Sequence, residues 1–141
     1  MTIGIQEFSS PQELLKYIDN MLNDLRRKLG ELLRLIEELR AKSERDEKLL
    51  KLIAFLAGGT IEESPIAKET VIEIEKVKIM LNPTAKTELE VLEEIAESIN
   101  AKITRLHAIR RGLERLAQID VETRIRVIFQ DYIPKAVIIT L

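Results

Sequence analysis

From Leu15 onward the apolar residues recur in alternating steps of three and four, at Leu15, Ile18, Leu22, Leu25, Leu29, Leu32, Ile36 and Leu39. This is a heptad seam, the pattern that keeps one stripe of an α-helix against a neighbouring helix. The register continues through Ser43 and Asp46 to Leu50, Ile53 and Ala57, so two polar positions interrupt it. No Gly, Pro or Asn stands between Arg40 and Lys48, and most residues there are good helix formers. The spacing therefore predicts one helix over residues 10–57. A rival reading takes Ser43 with Asp46 as a second capping pair that starts a new helix and folds it back. Unbroken, the helix would run about 70 Å at 1.5 Å per residue. That is more than a globule of 141 residues covers, so the seam would need another chain.

The start of this helix is written in Ser10, Pro11 and Glu13. Ser10 can accept from the Glu13 N–H, Glu13 can reach back to the Ser10 N–H, and Pro11 occupies the first helical position, where a missing donor costs nothing. Before it, Thr2 to Phe8 alternates with Ile3 and Ile5 on one side, as a short edge strand would. After it, Gly58 and Gly59 terminate the helix and Pro65 keeps it from restarting, so Gly58 to Ile66 reads as a loop. Leu49 to Ala57 is apolar all round apart from Lys51. It is expected to pack against the protein's own sheet, with docking to a partner or a membrane surface as the alternative.

Residues 68–81 are rich in β-branched side chains, with Ile72 and Ile74 in one alternation and Val77, Ile79 and Leu81 in another. The phase slips at Glu75 and Lys76, which implies a bulge in one strand or a turn between two. Asn82 and Pro83 then open a second long helix, residues 84–117. Its stripe is Leu89, Leu92, Ile95, Ala96, Ile99, Ile103, Leu106, Ile109, Leu113 and Leu116. Residues 123–141 alternate again at Ile125, Val127 and Phe129, turn through a loop of several residues near Asp131 to Pro134, and resume at Val137, Ile139 and Leu141. The expected fold is α+β in a single domain, residues 1–141. It has two long amphipathic, coiled-coil-like helices and a small, mostly antiparallel sheet formed by the central strand region and the C-terminal hairpin.

Composition narrows the chemistry. With 45% hydrophobic and 33% charged residues the chain is too apolar for intrinsic disorder. The absence of cysteine removes disulfides, thiolate metal sites and thiol nucleophiles. Abundant Glu, Lys, Arg, Ile and Leu with few Asn and Gln is the bias of hyperthermophile proteins. No stretch approaches the ~18 apolar residues of a membrane span, and the first eight residues lack a signal-peptide pattern. A cytoplasmic location is therefore expected. Twenty-two basic and 24 acidic residues leave a net charge of -2, which gives no global field for nucleic acid.

The single histidine, His107, stands in line with Arg111 and Arg115 at four-residue spacing on the second helix. A basic ridge of this kind, extended by Arg124 and Arg126, would grip phosphate, but a solvated helix face explains it as well. Glu114 interrupts the ridge, and no aromatic residues interleave it. Gly58, Gly59 and Thr60 follow a helix C-terminus, the wrong polarity for a phosphate cradle. The serines lack a nucleophile-elbow setting, and the many glutamates sit at the spacings of solvent-facing salt bridges. The residues thus give no catalytic, cofactor-binding or metal-ligating set. Along the second helix, Glu88, Glu90, Glu93, Glu94 and Glu97 precede Lys102, Arg105, Arg110, Arg111 and Arg115. An antiparallel copy crossing near Asn100 and Ala101 would set acid against base; pairing with the first helix is the competing explanation.

The order of long helix, strand region and long helix is similar in outline to prefoldin-type chaperone subunits. Those place β-hairpins between their helices and end on the second helix, whereas this chain adds a hairpin after Ala117. The expectation is a non-enzymatic structural or scaffolding protein that forms homo-oligomers or docks a protein partner through its seam, Leu15 to Leu39. A nucleic-acid-binding accessory protein using His107, Arg111 and Arg115 is the alternative.

Overall fold

The first turn of the long helix forms as its sequence predicts. In the computed structural model, which describes residues 3–56, 70–81, 83–118 and 123–140, Ser10 Oγ accepts from the Glu13 N–H at 3.2 Å. The reciprocal bond differs by one residue. Glu13 Oε2 accepts from the N–H of Ser9, at 3.0 Å, rather than from that of Ser10. Strand β1 (Ile3–Phe8) ends just before this cap, and helix α1 (Pro11–Leu56) begins with the proline. The helix is continuous through Ser43 and Asp46, so those residues do not cap a break. Ala57 and the loop expected over Gly58 to Ile66 lie outside the described residues.

The central strand region is a hairpin. Strands β2 (Thr70–Ile74) and β3 (Val77–Leu81) pair antiparallel around a two-residue turn at Glu75 and Lys76, so the phase slip is a turn and not a bulge. Both turn residues have positive φ, 50° and 64°, as a two-residue turn that matches strand twist requires. Helix α2 (Ala85–Leu113) follows and continues as a 3-10 helix over Glu114–Gln118. Its cap is Thr84, whose Oγ1 accepts from the Thr87 N–H at 3.2 Å. Strands β4 (Arg124–Gln130) and β5 (Ile133–Thr140) form the C-terminal hairpin. Its turn is only Asp131 and Tyr132, both at positive φ, and not a loop reaching Pro134. Pro134 sits in β5, at the edge of the sheet and beside the irregularity opposite Ile128 and Phe129, a placement that costs no ladder bond.

The fold is α+β, with two long helices and two small antiparallel sheets. The strands expected in one sheet separate into a three-stranded sheet of order β1-β4-β5 and the isolated β2-β3 pair. Contacts divide the chain into two compact units, one of Met1–Gly30 with Ala96–Leu141 and one of Glu31–Ile95. The first unit owns the core. Leu14, Ile18, Leu22 and Leu25 of α1 and Ile103 and Leu106 of α2 are buried with Phe8, Ile125, Val127, Phe129 and Ile133 of the sheet. Tyr17 links the layers, with its ring 5.4 Å from Phe8 and 5.3 Å from Phe129. The buried line of α1 starts at Leu14 rather than Leu15, because the stripe that meets a sheet is broader than a strict heptad seam. On β1 it is Phe8 that faces the core, and Ile5 is exposed on the other side.

The second unit is built differently. Among its described residues only two hydrophobic side chains are buried, Ile36 and Ala85. Leu32, Leu39, Leu89 and Leu92 are half-buried, and Arg40 Nη2 pairs with Glu93 Oε1 at 3.1 Å.

Candidate interaction surface

The strand register shows what the phase slip accomplishes. Thr70 stands opposite Leu81, Ile72 opposite Ile79 and Ile74 opposite Val77, and directly opposed residues share a face. A two-residue turn thus brings both alternations onto one side of the hairpin. That side carries Ile72, Ile74, Val77, Ile79 and Leu81 with only Thr70 for a polar neighbour, and its large side chains are 42–62% exposed. The other side carries Val71, Glu73, Lys78 and Met80, with Glu73 opposite Lys78. An isolated two-stranded hairpin is marginal in water unless one face is covered.

The last turns of α1 are equally bare. Leu49, Leu50, Leu52, Ile53, Phe55 and Leu56 are all exposed, Phe55 by 81% and Leu56 by 74%. Packing of this segment against the protein's own sheet, the expectation from its composition, does not occur among the described residues. Asp46 is exposed and Ser43 half-buried, so the seam beyond Leu39 does not form buried layers among the described residues.

The lower part of the seam is in a different state. Ile18, Leu22 and Leu25 lie inside the core of the first unit, Leu29 packs against it, and Leu15 is half-buried. Ile36 is buried in the second unit, where Leu32 and Leu39 are half-buried. Sequence periodicity marks a stripe that needs covering without saying which chain covers it. The exposed segments over residues 49–56 and 70–81 were therefore less legible as a surface than Leu15 to Leu39. The signal for them was the apolar run at Leu49 and the paired alternations at Glu75 and Lys76.

The basic ridge is small and partly neutralised. Thr104, His107, Arg110, Arg111 and Glu114 line a shallow groove of about 490 Å³. Arg110 is committed to Asp19, with Nε to Oδ1 at 2.5 Å and Nη2 to Oδ2 at 3.0 Å, and also pairs with Glu114. The bond to Asp19 is the main reason its guanidinium holds its proton more firmly than usual. His107 receives Arg26 Nη2 on Nε2, a neighbour 81 residues away that no local pattern could announce. Arg111 and Arg115 are exposed. Arg124 and Arg126 do not extend the ridge. They alternate with the buried Ile125 and Val127 on β4 and so project from the sheet face opposite the helices.

Among the described residues no three His, Asp or Glu side chains converge as metal ligands, and no helix is long and apolar enough to cross a membrane. No family model, no curated protein and no solved structure matches the chain.

Proposed function

We propose that this chain is a non-enzymatic scaffolding protein whose second unit binds protein chains through exposed apolar surface on α1 and on the β2-β3 hairpin. One observation carries the reading: the second unit has two buried hydrophobic side chains among its described residues, yet twelve large exposed ones over residues 49–56 and 70–81. Apolar exposure on this scale, in two separate segments, marks surface that another molecule covers. The heptad register of α1 supplies part of it, since Leu50 and Ile53 continue the seam and are exposed. The groove beside His107 favours nucleic acid less, because Glu114 lines it and Arg110 is already paired.

The test is apolar-dye binding and hydrogen exchange on the full chain, alone and in its assembled state, with a Leu52→Glu, Phe55→Glu variant beside it. Protection of the hairpin amides that appears only on assembly, and is lost in the variant while the core of the first unit keeps its own protection, supports the proposal. A lone chain whose hairpin amides are protected and which binds no dye removes it.

A further inference from the structure

We propose that the cavity beside Gly4, between β1 and α1, is a binding site for a small uncharged aromatic molecule, a single six-membered ring that carries one hydrogen-bonding group. The site lies wholly within the first unit and is independent of the exposed surfaces on the second.

The cavity arises from the sequence of β1. Phe8 faces the core, so Gln6 and Gly4, at two-residue steps from it, share its side of the strand. Phe8, Gln6 and Gly4 stand opposite Ile125, Val127 and Phe129 of β4, all three of which are buried. The β4 face is therefore filled at every position, whereas the β1 face passes from Phe8 to the exposed Gln6 and then to a residue with no side chain. Glycine inside a strand weakens it and marks a point where a ligand or another backbone comes close. No backbone does so here, because a Cβ on Gly4 would meet nothing within 4 Å. Protein cores hold few voids larger than a water molecule, and alanine would fit at this position. Crowding thus does not explain the glycine, and a ligand does.

Size and lining set the class of ligand. The cavity measures about 140 Å³ and is lined by Gly4, Gln6, Tyr17, Met21, Phe129 and Tyr132. An apolar cavity of ~150 Å³ admits one benzene ring, so a single ring fits and a fused pair does not. Aromatic residues make up 4% of the chain but supply three of these six walls, which favours a flat ring over an aliphatic one. Tyr17 and Phe129 already meet at 5.3 Å with their planes tilted by 50°, an arrangement that ring quadrupoles favour and a further ring can extend. Met21 adds a thioether, which packs well against aromatic rings. Charge argues against an ion. Lys28 Nζ stands 5.1 Å from the centre of the Tyr132 ring, which disfavours a second cation there, and its pairing with Asp24 at 3.3 Å removes the call for an anion. The Gln6 amide and the Tyr17 hydroxyl make no hydrogen bond among the described residues. A hydroxyl or amino substituent on the ring would meet them.

The experiment uses the full chain, labelled at the methyl groups of its three methionines, with phenol as the probe. Met21 lies in the cavity and Met80 on the β2-β3 hairpin of the other unit, so one reports the site and the other non-specific adsorption. Phenol is expected to shift the Met21 methyl signal saturably and to leave that of Met80 in place. Cyclohexanol, which has the hydroxyl without the aromatic face, and tetramethylammonium are each expected to need at least ten-fold higher concentration. Gly4→Val places a side chain in the space and is expected to raise the half-saturating phenol concentration at least ten-fold, with the exchange protection of Leu106 and Val127 retained. Should that variant lose protection, Gly4→Ala is read in its place, with at least three-fold weakening expected. Equal movement of Met21 and Met80 would mean adsorption to exposed apolar surface and overturn the site. A Met21 signal that does not move, or phenol binding that the Gly4 substitutions leave unchanged, would overturn it as well. Cyclohexanol acting at the same concentration as phenol, or tetramethylammonium at a lower one, would overturn the aromatic ligand class.

Discussion

Lys28 Nζ donates to the hydroxyl of Tyr132 at 2.8 Å while standing 5.1 Å from the centre of the same ring. The contact ties α1 to the turn of the C-terminal hairpin, where Tyr132 holds a φ of 70°. The left-handed conformation is unfavourable for a residue with a Cβ, and the ring, packed against the core, compensates. Tyr132→Phe keeps the ring and is expected to lower the melting temperature slightly. Tyr132→Gly relieves the backbone and is nonetheless expected to be the more damaging change. Thermal unfolding of the two variants decides the order.

The same lysine sets one limb of the pH profile. Its bonds to Tyr132 and then Asp24 hold the ammonium above the usual lysine range. Asp24 is held below the usual carboxylate range, chiefly by the bond from Lys28, and Glu13 is held low by the backbone N–H of Ser9. The two carboxylates stabilise the fold fully above their unfolded range, and that contribution is lost as pH falls through their depressed values. The lysine contributes fully below its unfolded range and loses its contribution as pH rises through its raised value. The melting temperature should therefore be flat around neutrality and fall at both extremes. Asp24→Asn is expected to shallow the acid limb, and Lys28→Gln to shallow both.

The turn at Glu75 and Lys76 is built from residues that disfavour positive φ. Glu75→Asn with Lys76→Gly supplies the preferred chemistry of a two-residue hairpin turn. Removing the Cβ at Lys76 is worth about 1–2 kcal/mol, asparagine at Glu75 adds less, and the gain is expected in the exchange protection of the β2-β3 amides rather than in those of β4 and β5.

Two glycines lie inside helices with open space where a Cβ would go. At Gly30 of α1 and Gly112 of α2 nothing stands within 4 Å of that position. Gly30→Ala and Gly112→Ala are each expected to stabilise the protein by about 0.8–1 kcal/mol, the helix-propensity difference, and to add when combined. Denaturant midpoints with unchanged slopes would confirm this. By contrast, Leu106→Ala removes a fully buried side chain and is expected to cost about 2–5 kcal/mol.

The groove of His107 gives a prediction of absence. Arg111→Glu with Arg115→Glu is expected to leave assembly mass unchanged, and the parent is expected to show no steep salt-dependent binding to DNA or RNA. Phosphate contacts would produce such a slope through counterion release. Tight binding by the parent, abolished in the variant, would promote the nucleic-acid reading.

Element types were legible where periodicity was long. Both helices and all three strand regions follow from apolar spacing, and the α1 cap follows from Ser10, Pro11 and Glu13. Tertiary partition was not legible. The seam of α1 keeps one register from Leu15 to Ile53, yet its first part is covered by the sheet and its last part is bare. Heptad position alone does not distinguish Leu22 from Leu50. The two hairpin turns were obscure for a related reason, since Glu75, Lys76, Asp131 and Tyr132 include neither glycine nor asparagine. The pairing of Arg26 with His107 depends on how two helices meet, which no single-helix pattern encodes.

Pairing of β1 with β4 joins Ile3 to Gln130 and Phe8 to Ile125, so the first strand cannot find its neighbour until nearly the whole described chain has left the ribosome. At ~5–20 residues per second, the apolar line of Leu14, Ile18, Leu22 and Leu25 waits on the order of ten seconds for the sheet that covers it. During that interval the nascent helix holds its future core uncovered, so early synthesis is the stage at which its apolar line is most open to unintended contacts.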